Sequence, residues 1–344
     1  MSSTLPPLVD EDALADYLSE HLPGRGLEIE RHRAGHSNET FFVTWAGREL
    51  VLRRPPLGAF LPSAHDVARE HRVLSALEGT GVRVPATVLL CEEESVIGAP
   101  FYLMERVEGV VIRNELPDYF TESERARIGH ELIDSLVDLH GVDYQRCGLA
   151  SFGKPHGYLE RQLRRWSGQL DMTLPLTRPL PELERVGEWL GENLPDSSSA
   201  TIVHGDYKLD NVMFAPAAPA HLVAIVDWEM STLGDPLADL GWMISFWREP
   251  GDAEADVLSD LHSVTAAGSF PGRDELVSRY VDMTGRDVAS LDWYRVLATW
   301  KLAILLEGSY ARHLSGVTDD PFFARMEQGV PALARRAVEL IKKA

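Results

Sequence analysis

Two short stretches of the sequence carry oxygen donors of the kinds that handle phosphate. In Ile202-Val-His204-Gly205-Asp206-Tyr-Lys208-Leu-Asp210-Asn211-Val-Met-Phe214, apolar residues bracket a polar loop, which predicts that Asp206 and Asn211 emerge at one rim from neighbouring short strands. A second rim follows at Ala224-Ile-Val-Asp227-Trp228-Glu229. Two carboxylates and one amide at strand ends are hard oxygen ligands, the kind magnesium prefers. Phosphoryl transfer asks for this set: one oxygen orients the acceptor hydroxyl, while others hold the metal that neutralises charge on the moving phosphate. A lone aspartate beside glycine is commonly a turn residue or a helix cap; here order, apolar flanks and spacing act together. His204 reads as a structural histidine bonded within the loop. Asp235, in Leu-Gly-Asp-Pro, reads as a helix N-cap with Pro236 at the first helical position.

The elements around these loops fall into two parts. Asp10–Leu22 has the pattern of a short amphipathic helix capped by Asp10 and stopped by Pro23-Gly24. Strand-like runs follow at Leu27–Arg33, Thr40–Trp45 and Glu49–Arg53, then a helical period over Ala64–Leu77, then strands at Thr87–Cys91 and Phe101–Arg106. After Glu108-Gly109 the character changes to helix, over Glu122–Leu139, Pro155–Leu170 and Leu183–Leu194. The short apolar runs Thr201–His204, Val212–Phe214 and Val223–Val226 interrupt it, and from Pro236 the pattern is helical again, apart from a loop around Gly268–Gly272. The expected fold is α+β, with a small antiparallel β lobe over residues 1–106 and a larger, mainly helical lobe over residues 107–344 that holds the catalytic and metal loops and the acceptor site.

Composition narrows the partners. The chain has 344 residues, 44% hydrophobic and 25% charged, which is ordinary globular usage. Asp and Glu outnumber Lys and Arg by 53 to 33, for a net charge of −20, and such a field repels nucleic acid and anionic membrane. Cys91 and Cys147 make neither a disulfide framework nor a zinc site and fit a reducing cytoplasm. The N-terminal MSSTLPPLVDED lacks the basic and apolar regions of a signal peptide, and no apolar run is long enough to cross a bilayer. The oligomeric state has no signature in the sequence.

His204-Gly205-Asp206-x4-Asn211 followed by Asp227-Trp228-Glu229 resembles the catalytic and metal-binding loops of the aminoglycoside phosphotransferase and choline kinase superfamily. The resemblance implies a two-lobed protein-kinase-like fold that uses ATP and Mg2+ to phosphorylate a small-molecule hydroxyl. It implies Asp206 as the catalytic base or hydroxyl-orienting residue, Asn211 and Asp227 as magnesium ligands, and Glu229 as a further support of the metal, directly or through water. Asp239 resembles the family aspartate that braces the catalytic loop. Gly205 stands where protein kinases carry an arginine that pairs with an activation-loop phosphate, which points to a small-molecule kinase without that switch.

The other parts of such a kinase occur in order. Ala34-Gly35-His36-Ser37-Asn38-Glu39-Thr40 lies where the resemblance implies a phosphate-covering loop, with Ser37 and backbone amides as contacts. Arg53 ends the third strand, where the superfamily usually has a lysine that touches the α- and β-phosphates, with Glu70 as its ion-pair partner; Arg54 takes that role if the register slips by one. Phe101-Tyr-Leu-Met104-Glu105-Arg-Val107-Glu-Gly109 matches the hinge segment, so adenine is expected against backbone groups of Glu105 and Val107 with Met104 lining the pocket.

The strings Leu52-Arg-Arg-Pro-Pro56, Ser63-Ala-His-Asp66, Arg161-Gln-Leu-Arg-Arg-Trp166 and Asp227-Trp-Glu-Met-Ser-Thr-Leu-Gly-Asp-Pro236 are similar to one branch of the superfamily. That branch includes the kinase-like domain ahead of acyl-CoA dehydrogenases in some larger animal proteins, and stand-alone bacterial relatives. It implies a hydroxy acid or hydroxyacyl thioester as acceptor. Arg161, Arg164 and Arg165 either meet an anionic acceptor or coenzyme A phosphates, or form the solvated face of a helix with Trp166 packed inward. Two alternatives remain: a catalytically silent kinase fold that binds nucleotide, and a metal-dependent hydrolase built on His204, Asp206, Asp227 and Asp235.

Overall fold

Strand alternation decides where the basic residues of the N-terminal sheet point, because successive side chains leave a strand on opposite faces. The computed structural model describes residues 8–32, 38–56, 66–197, 199–252, 264–318 and 320–344. The chain divides into two units: Met1–Glu108 with Val223–Glu229, and Gly109–Leu222 with Met230–Ala344. The fold is the protein-kinase-like α+β architecture.

In the first unit, α1 (Glu11–His21) starts after Asp10, whose carboxylate accepts the Ala13 amide at 3.1 Å and so caps one of the orphan N–H groups of the first turn. Strands β1 (Leu27–His32), β2 (Glu39–Trp45) and β3 (Arg48–Arg54) come before α2 (Val67–Leu77), and β4 (Thr87–Cys91) and β5 (Phe101–Glu105) are separated by the one-turn helix α3 (Glu94–Ile97). They form one antiparallel sheet in the order β1-β2-β3-β5-β4, in which Arg53 faces Thr40 of β2 and Tyr102 of β5. Leu50 and Leu52 share the face that buries Val43, Trp45, Phe101 and Leu103 against Leu14 and Leu18 of α1. Each such side chain contributes about 1.5–3 kcal/mol. Arg54 lies on that same face, 2% exposed, donating to the carbonyl of Ile97 at 3.1 Å; Arg53 lies on the other.

The first residues of the helix expected over 64–77 fall outside the described residues. The described helix begins after Asp66, which accepts the Arg69 amide at 2.9 Å. Its buried stripe is Val67, Glu70, Val73, Leu74 and Leu77, so helical spacing alone drives the Glu70 carboxylate into the apolar face. The expected loop residue Ser37 also lies outside the described residues.

The second unit is mainly helical: α4 (Glu122–His140), α5 (Tyr158–Thr173) and α6 (Pro181–Glu192) come before the short strands, and α7 (Leu237–Phe246), α8 (Arg273–Thr284), α9 (Leu291–Leu314), α10 (Pro321–Ala324) and α11 (Met326–Ile341) follow them. The short strands of this unit are β6 (Thr201–Val203), β7 (Val212–Phe214) and β9 (Thr232–Gly234), β6 pairs antiparallel with β9, and β8 (Leu222–Ile225) runs on into the Val223–Glu229 segment that belongs to the first unit. Gly241 lets α7 pack closely on α9: a Cβ there would meet the Tyr294 Cβ at 2.6 Å. The α7 helix begins at Leu237, one residue later than expected. Its N-cap is therefore Pro236 and not Asp235, although the Asp235 carboxylate, one residue further out, still accepts the Leu237 amide at 2.9 Å. Among the described residues no helix is long and apolar enough to cross a membrane.

Candidate active site

The polar loop after β6 is fixed from beneath. Asp239, on the first turn of α7 and fully buried, accepts the amides of His204 at 2.7 Å and Gly205 at 2.8 Å. His140 of α4 bonds the same carboxylate at 3.4 Å and Tyr280 at 2.9 Å through its other ring nitrogen. Charge-assisted bonds to backbone N–H groups are about twice as strong as neutral ones, so this buried aspartate sets the path of the loop. His204 is buried, and its Nδ1 accepts the Asp206 amide at 3.2 Å, which is a structural use of the ring. Gly205 sits at φ 84°, where a Cβ would meet the Met230 carbonyl oxygen at 2.6 Å. Any side chain, arginine included, is therefore excluded by backbone geometry as well as by space.

That path presents Asp206 and Asn211 side by side. The Asn211 amide nitrogen donates to Asp206 Oδ2 at 2.7 Å and to the Asp206 carbonyl at 2.8 Å. With its nitrogen so used, Asn211 is oriented and its Oδ1 is the atom left to ligate a cation. Lys208 Nζ bridges both carboxylate oxygens, at 2.9 and 2.8 Å, and the Trp242 indole donates to Oδ1 at 2.7 Å. Burial pushes the Asp206 carboxyl up, but Lys208, by charge and hydrogen bond, then Lys301 and His204, bring it below the ordinary aspartate value. A carboxylate so stabilised is a weak proton acceptor in the ground state, and suits orienting a hydroxyl more than stripping it.

The first unit carries the second cluster. Arg53 donates to Thr40 Oγ1, Glu70 Oε1 and Asp227 Oδ1, each at 3.2 Å. Burial opposes the guanidinium charge, yet Glu70, then Tyr102, Asp227 and Glu229, hold it above its usual value. Burial pushes the Glu70 carboxyl up, with Arg53, the Asn38 side chain and the Trp228 amide pulling the other way; the Asn38 contact is 3.3 Å. Asp227 adopts φ 66°, a left-handed conformation that aspartate tolerates better than most residues and that is concentrated at functional sites. Glu229 sits in the 3₁₀ turn Trp228–Met230. Arg54, the alternative to Arg53, is turned into the α1 side of the sheet and meets backbone carbonyls there.

The hinge-like segment is extended and partly open. Met104, Glu105 and Val107 are half-buried at the end of β5 and just beyond it. The Glu105 amide is already spent on the Ala86 carbonyl at 2.8 Å, and its carboxylate pairs with Arg48. Arg161 closes the turn before α5 by donating to the carbonyls of Lys154 and His156, while Trp166 is buried and Arg165 lies over its ring at 5.1 Å. Lys208, Trp242 and Lys301 were not singled out from the sequence. Lys208 lies two residues beyond Asp206 and was within reach of the loop pattern; Trp242 and Lys301 arrive from α7 and α9, where nothing in the periodicity marks them.

The chain belongs to the phosphotransferase enzyme family, whose model matches residues 28–294. It is similar to acyl-CoA dehydrogenase family member 11 of Rattus norvegicus, 34% identical over 97% of this chain but only 43% of the relative. The chain thus spans less than half the length of that relative. A solved structure from Ralstonia eutropha, provisionally described as an aminoglycoside phosphotransferase, is 32% identical with a TM-score of 0.81 and covers 98% of this chain and 99% of its own. Choline kinase from Cryptosporidium parvum shares the fold at 12% identity and TM-score 0.65, over 97% of both chains.

Proposed function

We propose that this protein transfers the terminal phosphate of ATP to a hydroxyl group of a small molecule, with Mg2+ as cofactor. The observation that carries the reading is the Asp206 carboxylate, ionised and held from two sides by Asn211 and Trp242 on a loop fixed by Asp239. In this reading Asp206 orients the acceptor hydroxyl and takes its proton as the new P–O bond forms. Arg53, locked by Glu70, grips the α- and β-phosphates, and the adenine lies against the Glu105–Val107 backbone. The donor set fits magnesium, a hard cation that takes one or two protein oxygens and completes its shell with phosphates and water. Asn211 and Asp227 would hold it, with Glu229 nearby, and when bound it would neutralise charge on the transferring phosphate. Among the described residues no cluster of three or more His, Cys, Asp or Glu forms a self-sufficient metal cage.

The similarity to acyl-CoA dehydrogenase family members supports a hydroxy acid or its coenzyme A thioester as acceptor. The test is ADP release from Mg-ATP across hydroxy acids, their thioesters, sugars, amino alcohols and aminoglycosides. Transfer that needs both magnesium and an intact Asp206 supports the reading. Turnover that survives Asp206→Asn with a verified acceptor removes it.

A further inference from the structure

Beside the catalytic loop, wholly within the second unit, lies a small, half-enclosed cleft with about 20 Å³ of room, lined by the rings of Tyr158 and Trp166 from α5, Trp242 from α7 and Tyr294 from α9, together with Gln162 and the Asp239 carboxylate. Electron-rich ring faces in a partly dry pocket are the setting in which ammonium groups bind. Here the pocket already contains one. Lys301 of α9 is 9% exposed, and its Nζ stands 4.1 Å from the centre of the Trp242 ring and 5.6 Å from that of Trp166. It donates to the Gly205 carbonyl at 2.6 Å. Among the described residues its direct partners are one carbonyl dipole and two indole faces, with Asp206 and Asp239 as the favourable acidic influences and Arg165 and Lys208 opposing. A desolvated ammonium is costly unless such partners surround it, and these partners are the ones an ammonium-bearing ligand would use.

We infer that this pocket is a cation site permanently filled by the protein's own Lys301, which makes Lys301 a specificity-determining residue that turns away acceptors carrying an ammonium group near their hydroxyl. The consequence for acceptors rests on the phosphotransferase reading; the occupancy of the box does not. The same ammonium, through Gly205, also ties the box to the catalytic loop, so a ligand cation could not replace Lys301 without loosening the residue before Asp206.

The test uses the full chain without nucleotide, so its failure is distinct from any failure of the phosphotransfer reading. Lys301→Ala removes the group that propylammonium restores, three methylenes and a nitrogen. Calorimetric titration with propylammonium at pH 7 is expected to show saturable binding to Lys301→Ala at least tenfold tighter than 1-propanol. Wild type and Lys301→Met, in which the box is filled, should show none. If Lys301→Ala is unfolded alone, the same titration is followed by circular dichroism, and recovery of helix by propylammonium but not by 1-propanol is the supporting result. Equal effects of amine and alcohol, no effect of either, or saturable binding of propylammonium to wild type overturns the inference.

Discussion

Replacing Arg53 by methionine separates the structural use of this residue from the nucleotide-binding use proposed for it. In the structure Arg53 is 13% exposed and Glu70 only 2%, and the guanidinium is the one cation bonded to that carboxylate among the described residues. Without it, Glu70 keeps the Asn38 amide at 3.3 Å and the Trp228 backbone N–H, and Asp227 loses its bond at 3.2 Å. Removing one member of a buried pair costs about 3–5 kcal/mol because the other charge stays desolvated, or about two to four powers of ten in the unfolding equilibrium. Adding Glu70→Leu takes the second charge out and completes the stripe of Val67, Val73, Leu74 and Leu77, so most of that loss should return. Urea unfolding of wild type, single and double variants measures this, and Mg-ATP calorimetry on the same samples reads the other use. The expected pattern is a destabilised single variant and a stable double variant, with nucleotide binding lost in both. A single variant as stable as wild type, or a double variant no better than the single, would refute the reasoning, since either outcome means Glu70 does not depend on Arg53 for its charge.

Other outcomes follow from the same geometry. Asp206→Asn should retain Mg-ATP affinity and lose about 10²–10⁴ in phosphoryl transfer, read by single-turnover ADP release. Trp242→Phe keeps an aromatic ring but loses the 2.7 Å bond to Asp206; at about 1.5–3 kcal/mol for a bond to a charged group, transfer should fall roughly 10- to 150-fold with KM for ATP unchanged. Gly205→Ala places a Cβ 2.6 Å from the Met230 carbonyl at φ 84°, and thermal unfolding should show a loss of at least about 1–2 kcal/mol. Lys301, brought down to about 8 by burial, gives a pH signature. Below pH 8 both folded and unfolded chains hold its proton. Between about 8 and 10.5 the unfolded chain binds more, so the fold gains stability as pH rises, by about 3 kcal/mol at most. Lys301→Met should abolish that rise in urea midpoints.

The polar loops were legible because their signal is local: short apolar runs around Asp206, Asn211 and Asp227 leave few ways to place those side chains except at strand ends. Strand period likewise separates Arg53 from Arg54 once the sheet exists, but the sequence could not say which of the two faces is the core until Leu50 and Leu52 were seen packed on α1. The one-turn helix α3 escaped because it is too short to show a period, and the strand β9, Thr232–Gly234, because unlike the equally short β6 and β7 it carries a single large apolar residue; it forms its ladder against β6. Gly205 was singled out for the arginine it lacks. The structure gives a nearer reason, the carbonyl of Met230, which no sequence pattern records.

What the sequence missed most is the support of the Asp206 carboxylate, the proposed catalytic group. Asp206 is held by Lys208 from its own loop and Trp242 from α7, and Lys301 from α9 grips the carbonyl just before it. Trp242 and Lys301 lie 36 and 96 positions from the groups they bond, at separations where periodicity is silent and only packing decides. Each is an apolar or amphipathic residue on a largely buried helix, and in sequence each looks like core. Their polar ends matter because every lone pair of Asp206 is then in use: Oδ1 accepts from Lys208 and Trp242, and Oδ2 from Lys208 and Asn211. A substrate hydroxyl can be oriented by this carboxylate only if one of those donors yields. Lys208 is the one on a flexible stem, and in the proposed reaction a triphosphate is the stronger draw on its charge, which would couple nucleotide binding to acceptor orientation through a single ammonium. Lys208→Met should therefore raise the Asp206 pKa and weaken the dependence of acceptor affinity on bound nucleotide; acceptor titrations with and without a non-hydrolysable ATP analogue would show equal coupling in variant and wild type if this account is mistaken.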